Sequence, residues 1–330
     1  MQENLPSLDV ILPFHVYDKR LYAAIESVSK SKFVNLRCIL VDDSGENNSQ
    51  KIQELIAFVR VATKNNSSII LKTVGKLGYA SAINYASNEI FSEYVSLMNS
   101  DDRVSKYKFS KQINKLITTN SDVCLGSIRK RKFFIPVPSL LIRLKNRTQY
   151  SPNLLLFGAY GADAGILVKK EIWKKYFKFP TGTMAADWSL AFLVYPKLKL
   201  TFEPNAKYYY SVHSGQTTRK KTYEDFFKSI YPDWTKFNNI LDLPELSLEE
   251  ASIIAAPSSK VKIDLVDISK ILNWSLEFTS KYGTSFTKHL IERRLNLYSL
   301  RYYKKPRRSI DSLKLIPQLM FRLILSLLQR

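Results

Sequence analysis

Apolar residues along this chain fall into short runs separated by stretches of helical spacing. The run at 8–12 reads as a strand stopped by Pro13, after which Leu21, Ala24, Ile25 and Val28 recur as one face of a helix. A second β-forming run at 36–41 ends at Asp42, Asp43, Ser44 and Gly45, a loop signal. A helix at 52–59, a strand at 68–71, a helix at 79–90 and a strand at 94–98 follow. Strands alternating with helices predict right-handed βαβ units, so the first 126 residues read as an α/β half with a mainly parallel sheet.

The rhythm breaks over 127–160 and then resumes. A strand at 165–168, a short helix from Glu171, a helix at 187–195 and two strands near 200–203 and 208–212 are predicted. Beyond Thr222 helical patterns dominate, at 223–230, 248–255, 263–278, 286–300 and 309–328, with Pro232, Pro244, Pro257, Pro306 and Pro317 marking breaks or kinks. The organisation predicted is an α/β domain over 1–221, with 127–160 as a variable basic segment, and a helical region over 222–330.

Composition narrows the class. The chain has 330 residues, 45% hydrophobic and 24% charged, which fits a globular fold and excludes collagen-like or disordered chains. Cys38 and Cys124 each lie in an apolar run, so neither a disulfide framework nor a Cys-based zinc site is expected, and the reducing cytoplasm fits best. The polar start of the chain does not read as a signal peptide.

Net charge is the abnormal quantity, at +21 from 50 Lys+Arg against 29 Asp+Glu, and it implies an anionic partner. It is concentrated. Arg129, Lys130, Arg131, Lys132, Arg143, Lys145 and Arg147 occur with no acid over 127–147, and ten basic residues face only Asp311 over 293–330. The first segment suits a lipid diphosphate or an anionic glycan, or else is a solvated loop. In the second, Leu313, Ile316, Leu319, Met320, Leu323, Leu327 and neighbours repeat at near-helical spacing beside the basic residues. That pattern reads as an interfacial helix on an anionic leaflet, with a core-packed or dimerising helix as the alternative. The apolar stretch at 319–328 is too short to span a bilayer alone. Clustered charge without RNA-binding motifs argues against nucleic acid as a partner.

Candidate chemistry sits where a parallel sheet collects ligands, at the carboxyl ends of strands. Asp42 and Asp43 follow the second strand, Asn99, Ser100, Asp101 and Asp102 the fourth, and Asp187 opens a later helix. A single such Asp is commonly an N-cap or Asx-turn; paired carboxylates need a cation or water between them, and their hard oxygens suit Mg²⁺ or Mn²⁺ carrying a diphosphate. Gly75 and Gly78 flank Lys76 in a turn before a helix whose N-terminus suits a phosphate. His213, beside Ser214 and Gly215, ends an aromatic strand. Lys76 and Arg219 are further candidate phosphate cations.

In this order, Val10-Ile11-Leu12-Pro13, Leu40-Val41-Asp42-Asp43-Ser44, Gly78-Tyr79-Ala80-Ser81-Ala82-Ile83-Asn84, Leu97-Met98-Asn99-Ser100-Asp101-Asp102, Ala186-Asp187 and His213 resemble glycosyltransferase family 2 over residues 8–219. The resemblance implies a GT-A fold and an inverting transferase moving a sugar from a nucleotide-sugar donor to a hydroxyl of a glycan or lipid-linked acceptor in cell-surface polysaccharide synthesis. It implies donor binding by Pro13, Asp42, Asp43, Lys76, Asn84, Asn99 and Asp101, with Asp43 on the base. It implies Mn²⁺ or Mg²⁺ held by Asp102, Asp101 and His213, Asp102 foremost, and Asp187 as the base. Asn99 stands where the family often has Asp, leaving one fewer carboxylate for a metal, and Ala186 replaces a common acidic neighbour. The expected location is the cytoplasmic face of the cell membrane, held peripherally through 293–330. A nucleotidyltransferase, or a basic membrane- or nucleic-acid-binding module without catalysis, are the alternatives; the first strand lacks the Gly-rich loop usual in the former.

Overall fold

The structure, a computed structural model, describes residues 5–45, 49–62, 67–131, 165–181, 186–194, 197–213, 223–255 and 267–282. β1 (Ser7–Phe14), α1 (Lys19–Ser29), β2 (Asn35–Asp42), α2 (Ser49–Ala62), β3 (Ser67–Thr73), α3 (Tyr79–Ser87) and β4 (Tyr94–Leu97) alternate as the pattern predicts. β5 (Arg103–Val104), α4 (Lys108–Thr119), β6 (Val123–Arg131), β7 (Ile166–Lys169), α5 (Lys170–Tyr176), α6 (Ala186–Leu193) and β8 (Leu200–Ser211) follow. α7 (Tyr223–Ile240), α8 (Leu248–Ala255) and α9 (Ile268–Tyr282) come last among the described residues.

One eight-stranded sheet has the order β3-β2-β1-β4-β7-β6-β8-β5. β3, β2, β1 and β4 are parallel; β7 runs antiparallel to β4 and β6, β8 is parallel to β6, and β5 is antiparallel to β8. The expected mainly parallel α/β sheet is therefore present, with two reversed strands. Its direction places the carboxyl ends of β1, β2, β4 and β8 along one edge.

Helices cover both faces, which is why the strands read as nearly continuous apolar runs. In β1 and β2, Ile11, Ile39 and Val41 face one core with Ala82, Ile83, Trp173 and the C-terminal helices. Val10, Leu12, Cys38 and Leu40 face the other core with Leu21, Ala24, Ile25, Val28 and Phe109. Both cysteines are buried and free. Asp9 breaks the apolar run of β1. Its fully buried carboxylate accepts Arg37 Nε and Nη2, each at 2.7 Å, the Phe91 and Ser92 backbone N–H groups at 2.7 and 2.9 Å, and Ser92 Oγ at 2.8 Å. Burial alone would raise this carboxyl, but Arg37 and the two amides outweigh it and hold it low.

Several boundaries differ from those predicted. β1 continues through Pro13, which lies beyond the β1–β4 ladder ending at Ile11 and Leu97, where a strand tolerates proline. The two strands expected near 200–212 are one. Glu203 pairs with Gly126 and Lys207 with Ser127, so 204–206 bulge out at Pro204. A side chain at Gly126 could not fit there, since a Cβ would come within 2.7 Å of the Ala206 carbonyl. Arg129, Lys130 and Arg131 belong to β6 rather than to a loop. α7 runs through Pro232, held by burial of Phe227, Ile230, Trp234 and Phe237 on one side.

The C-terminal helices share the sheet's core. Trp234 meets Phe192 of α6 edge-on at 5.5 Å and stacks on Trp274 of α9 at 5.6 Å, and Trp274 stacks on Phe278 at 4.9 Å. Among the described residues no helix is long and apolar enough to cross a membrane. The predicted helices at 286–300 and 309–328, the basic segment from 132 onward and Arg219 lie outside the described residues.

Candidate active site

Four carboxylates are delivered to the carboxyl edge by the ends of β2 and β4. Asp42 is fully buried and accepts Tyr17 Oη and, at 3.0 Å, the Ser44 amide. Asp43, also buried, accepts the Leu77 amide at 2.5 Å and the Gly78 amide at 3.0 Å. The Asp43 carboxylate thus shapes the Gly75–Gly78 turn and fixes the start of α3. Gly45 in the left-handed region sits against Lys76, whose side chain is exposed on that turn. Pro13 is buried near the end of β1, in register with Val41 of β2.

Asp101 and Asp102 diverge. Asp102 is fully buried, accepting Tyr208 Oη at 2.7 Å, the Ser211 amide at 2.7 Å and Asn99 Nδ2 at 3.3 Å. Desolvation and the neighbouring Asp101 charge push its carboxyl up to about 7, against the pull of those three donors. Asp101, with its side chain 28% exposed, instead meets His213 Nε2 at 2.8 Å. So of the three residues expected around a metal, Asp101 and His213 come together, and Asp102, expected foremost, turns into the interior to tie the β4 end to β8.

Asn99 explains its own departure from Asp. Its Oδ1 accepts Tyr79 Oη at 2.9 Å while its Nδ2 donates to Asp102. A carboxylate here would set a third negative charge against a buried one. Asn84, within α3, pairs with Phe179: its side-chain amide donates to the Phe179 carbonyl at 2.8 Å and accepts the Phe179 amide at 2.9 Å. That pair fixes Phe179, which precedes α6 in the chain, and the first turn of α6 carries the half-buried Asp187.

Four contributors were not legible as site residues. Tyr208 lies in an aromatic strand whose alternation alone singles it out as inward-facing. Tyr17 and Tyr79 reach Asp42 and Asn99 from the starts of α1 and α3. Arg20 contacts His213 Nδ1 and forks onto Asp18, the N-cap of α1. Burial would raise the Asp18 carboxyl, but Arg20 and the cap amides hold it low.

For a divalent cation the arrangement offers one carboxylate and one imidazole. Among the described residues no group of three or more His, Cys, Asp or Glu converges. Two protein ligands suit Mg²⁺ or Mn²⁺, which keep waters and take the rest of their shell from substrate phosphates.

Comparison with known proteins identifies the fold and the family. S. aureus TarS, residues 1–349, crystallised in complex with UDP-GlcNAc, superposes with a TM-score of 0.59 at 17% identity, covering 90% of this chain and 87% of that one. The same protein in complex with UDP gives a TM-score of 0.55 at 17% identity, with 92% and 94% covered. The shared architecture is the GT-A fold. Glycosyltransferase GlyG of Streptococcus pneumoniae is 28% identical over 120 residues, 36% of this chain and 38% of its own length. An uncharacterized glycosyltransferase of Haemophilus influenzae is 25% identical over 114 residues, 34% of this chain and 44% of its own. The chain thus spans less than half the length of these curated relatives. Residues 9–176, more than half of the chain, match Glycosyl transferase family 2, and the chain belongs to that family.

Proposed function

We propose that the protein transfers a sugar, with inversion, from a nucleotide-sugar donor to a hydroxyl of a glycan or lipid-linked acceptor in cell-surface polysaccharide synthesis. The observation that carries this reading is the direct contact of Asp101 with His213 at the edge where Asp42 and Asp43 also end. Asp43 and the turn it shapes receive the nucleotide, with Lys76 on the same turn near the phosphates. Asp101 and His213, rather than Asp102, are the ligands for a divalent cation, which would neutralise charge on the departing diphosphate. Asp102 holds Asn99, Tyr208 and Ser211 in register so that this pair keeps its spacing.

Asp187 acts as base from the first turn of α6. The acceptor oxygen attacks the anomeric carbon, the bond from that carbon to the diphosphate oxygen breaks, its electron pair leaves with the nucleotide, and the hydroxyl proton passes to Asp187. An ordinary Asp carboxyl near 3.9 is a weak base for an alcohol, so the proton moves as the new C–O bond forms and acidifies the hydroxyl.

The test is equilibrium binding of UDP-, GDP- and dTDP-sugars with and without Mn²⁺. One of the three should bind, and Asp101→Asn should lose the Mn²⁺-dependent part of the affinity. No binding of any sugar nucleotide would overturn the reading, and an undiminished Mn²⁺ effect in Asp101→Asn would remove that residue from the cation.

A further inference from the structure

The donor edge concentrates negative charge, yet its ligand carries a diphosphate. Arg20 is a cation in contact with His213 of the Asp101–His213 pair. Its Nε donates to Asp18 Oδ2 at 2.7 Å, its backbone amide donates to Asp18 Oδ1 at 2.8 Å, and its Nη1 lies against His213 Nδ1. The Arg20 side chain keeps 34% of its exposure, so it is anchored by Asp18 and still open to solvent.

The polarity of that contact constrains the histidine. A guanidinium has donors and no acceptor, so Nδ1 must accept from Arg20, and the hydrogen of the neutral ring sits on Nε2, facing Asp101 Oδ2. A cation bound at Nε2 needs the lone pair of that nitrogen, which moves the hydrogen to Nδ1 and sets it against the Arg20 donor. Contact with Arg20 and ligation of a cation are therefore alternatives for this ring.

We propose that Arg20 is a built-in cation of the donor site that exchanges between His213 and the diphosphate of the donor, and thereby sets how far donor binding requires a divalent metal. Without donor, Arg20 occupies His213 and its positive charge opposes a second cation. With donor, the diphosphate draws the guanidinium away, frees His213 for ligation and makes nucleotide and metal binding mutually reinforcing. This rests on the glycosyl-transfer reading of the same edge.

The experiment measures Mn²⁺ affinity by electron paramagnetic resonance and UDP affinity by calorimetry, the latter in EDTA and in Mn²⁺, for wild type, Arg20→Met and Arg20→Lys. Arg20→Met should bind Mn²⁺ alone about tenfold more tightly, because a like charge is gone, and UDP in EDTA about tenfold more weakly. Arg20→Lys should keep most of the metal-free UDP affinity. The opposed signs matter, since a residue that merely braces α1 would weaken both ligands together. Equal affinities in wild type and Arg20→Met, or parallel losses, overturn the inference while leaving the proposed function standing. A wild-type protein that binds neither UDP nor Mn²⁺ removes both this inference and UDP as the donor nucleotide.

Discussion

Asp101 and Asp102 are neighbours in the chain with opposite surroundings, and the difference is set by what β8 offers each. Tyr208 and Ser211 close on Asp102, so Tyr208→Phe should cost about 1.5–3 kcal/mol above about pH 7, where Asp102 is ionised, as loss of a hydrogen bond to a buried charged group does, measurable by denaturant unfolding. Asp187→Asn should lower turnover by about 10² to 10⁴ with donor affinity nearly unchanged; turnover close to normal would remove Asp187 from the role of base. Lys108 makes a different residue-scale prediction. It is fully buried, with Nζ donating to Gln112 Oε1 at 2.8 Å, and burial pushes its ammonium down to about 7. The unfolded chain then binds more protons between about 7 and 10.4, so Lys108 makes stability rise with pH across that window. Unfolding of Lys108→Met should show a flatter rise there than wild type; identical slopes would mean Lys108 stays charged. The acidic clusters were legible because hydrophobic runs stop at them. Tyr208, Arg20 and Lys108 were not, because their partners lie far along the chain or because charge conventionally reads as surface.

At the scale of elements, α3 and the segment before α6 are coupled by a few polar contacts. Asn84 brackets Phe179 with two hydrogen bonds, and Trp173 Nε1 donates to Ser87 Oγ at 3.0 Å. Asn84→Ala should therefore cost about 2–3 kcal/mol through two lost bonds. It should also reduce turnover more than donor affinity, since the freed chain leads to Asp187; a mutant affected only in donor binding would return Asn84 to the nucleotide. The βαβ units were readable from period alone. α4 was not, although Phe109, Ile113 and Leu116 keep helical spacing, because Lys108 and Gln112 share its buried face and blur the apolar stripe. Two-residue β5 is too short to carry a pattern, and the division expected within β8 falls at Pro204, which the sheet accommodates as a bulge.

For the whole molecule, the change of composition near residue 221 does not coincide with a break in the core. Trp234, Phe237, Trp274 and Phe278 lie in the same apolar cluster as Ile11, Val95 and Leu97. A chain ended at residue 221 should accordingly lose cooperative unfolding by calorimetry, whereas one ended at 292 should stay folded and bind nucleotide sugar. The latter should lose binding to anionic liposomes, if 293–330 holds the protein to a membrane as its basic, leucine-rich pattern implies. Retained flotation would move the membrane contact elsewhere. The pairing of β5 with β8 also bears on how the protein is made. At about 5–20 residues per second, the roughly hundred residues between Arg103 and its partner Tyr209 take about 5–20 s to synthesise. Through that interval Asp101 and Asp102 wait on the ribosome without Tyr208, Ser211 or His213. The proposed donor site is thus a late product of translation, and nascent chains released before β8 should be unable to sequester nucleotide sugar.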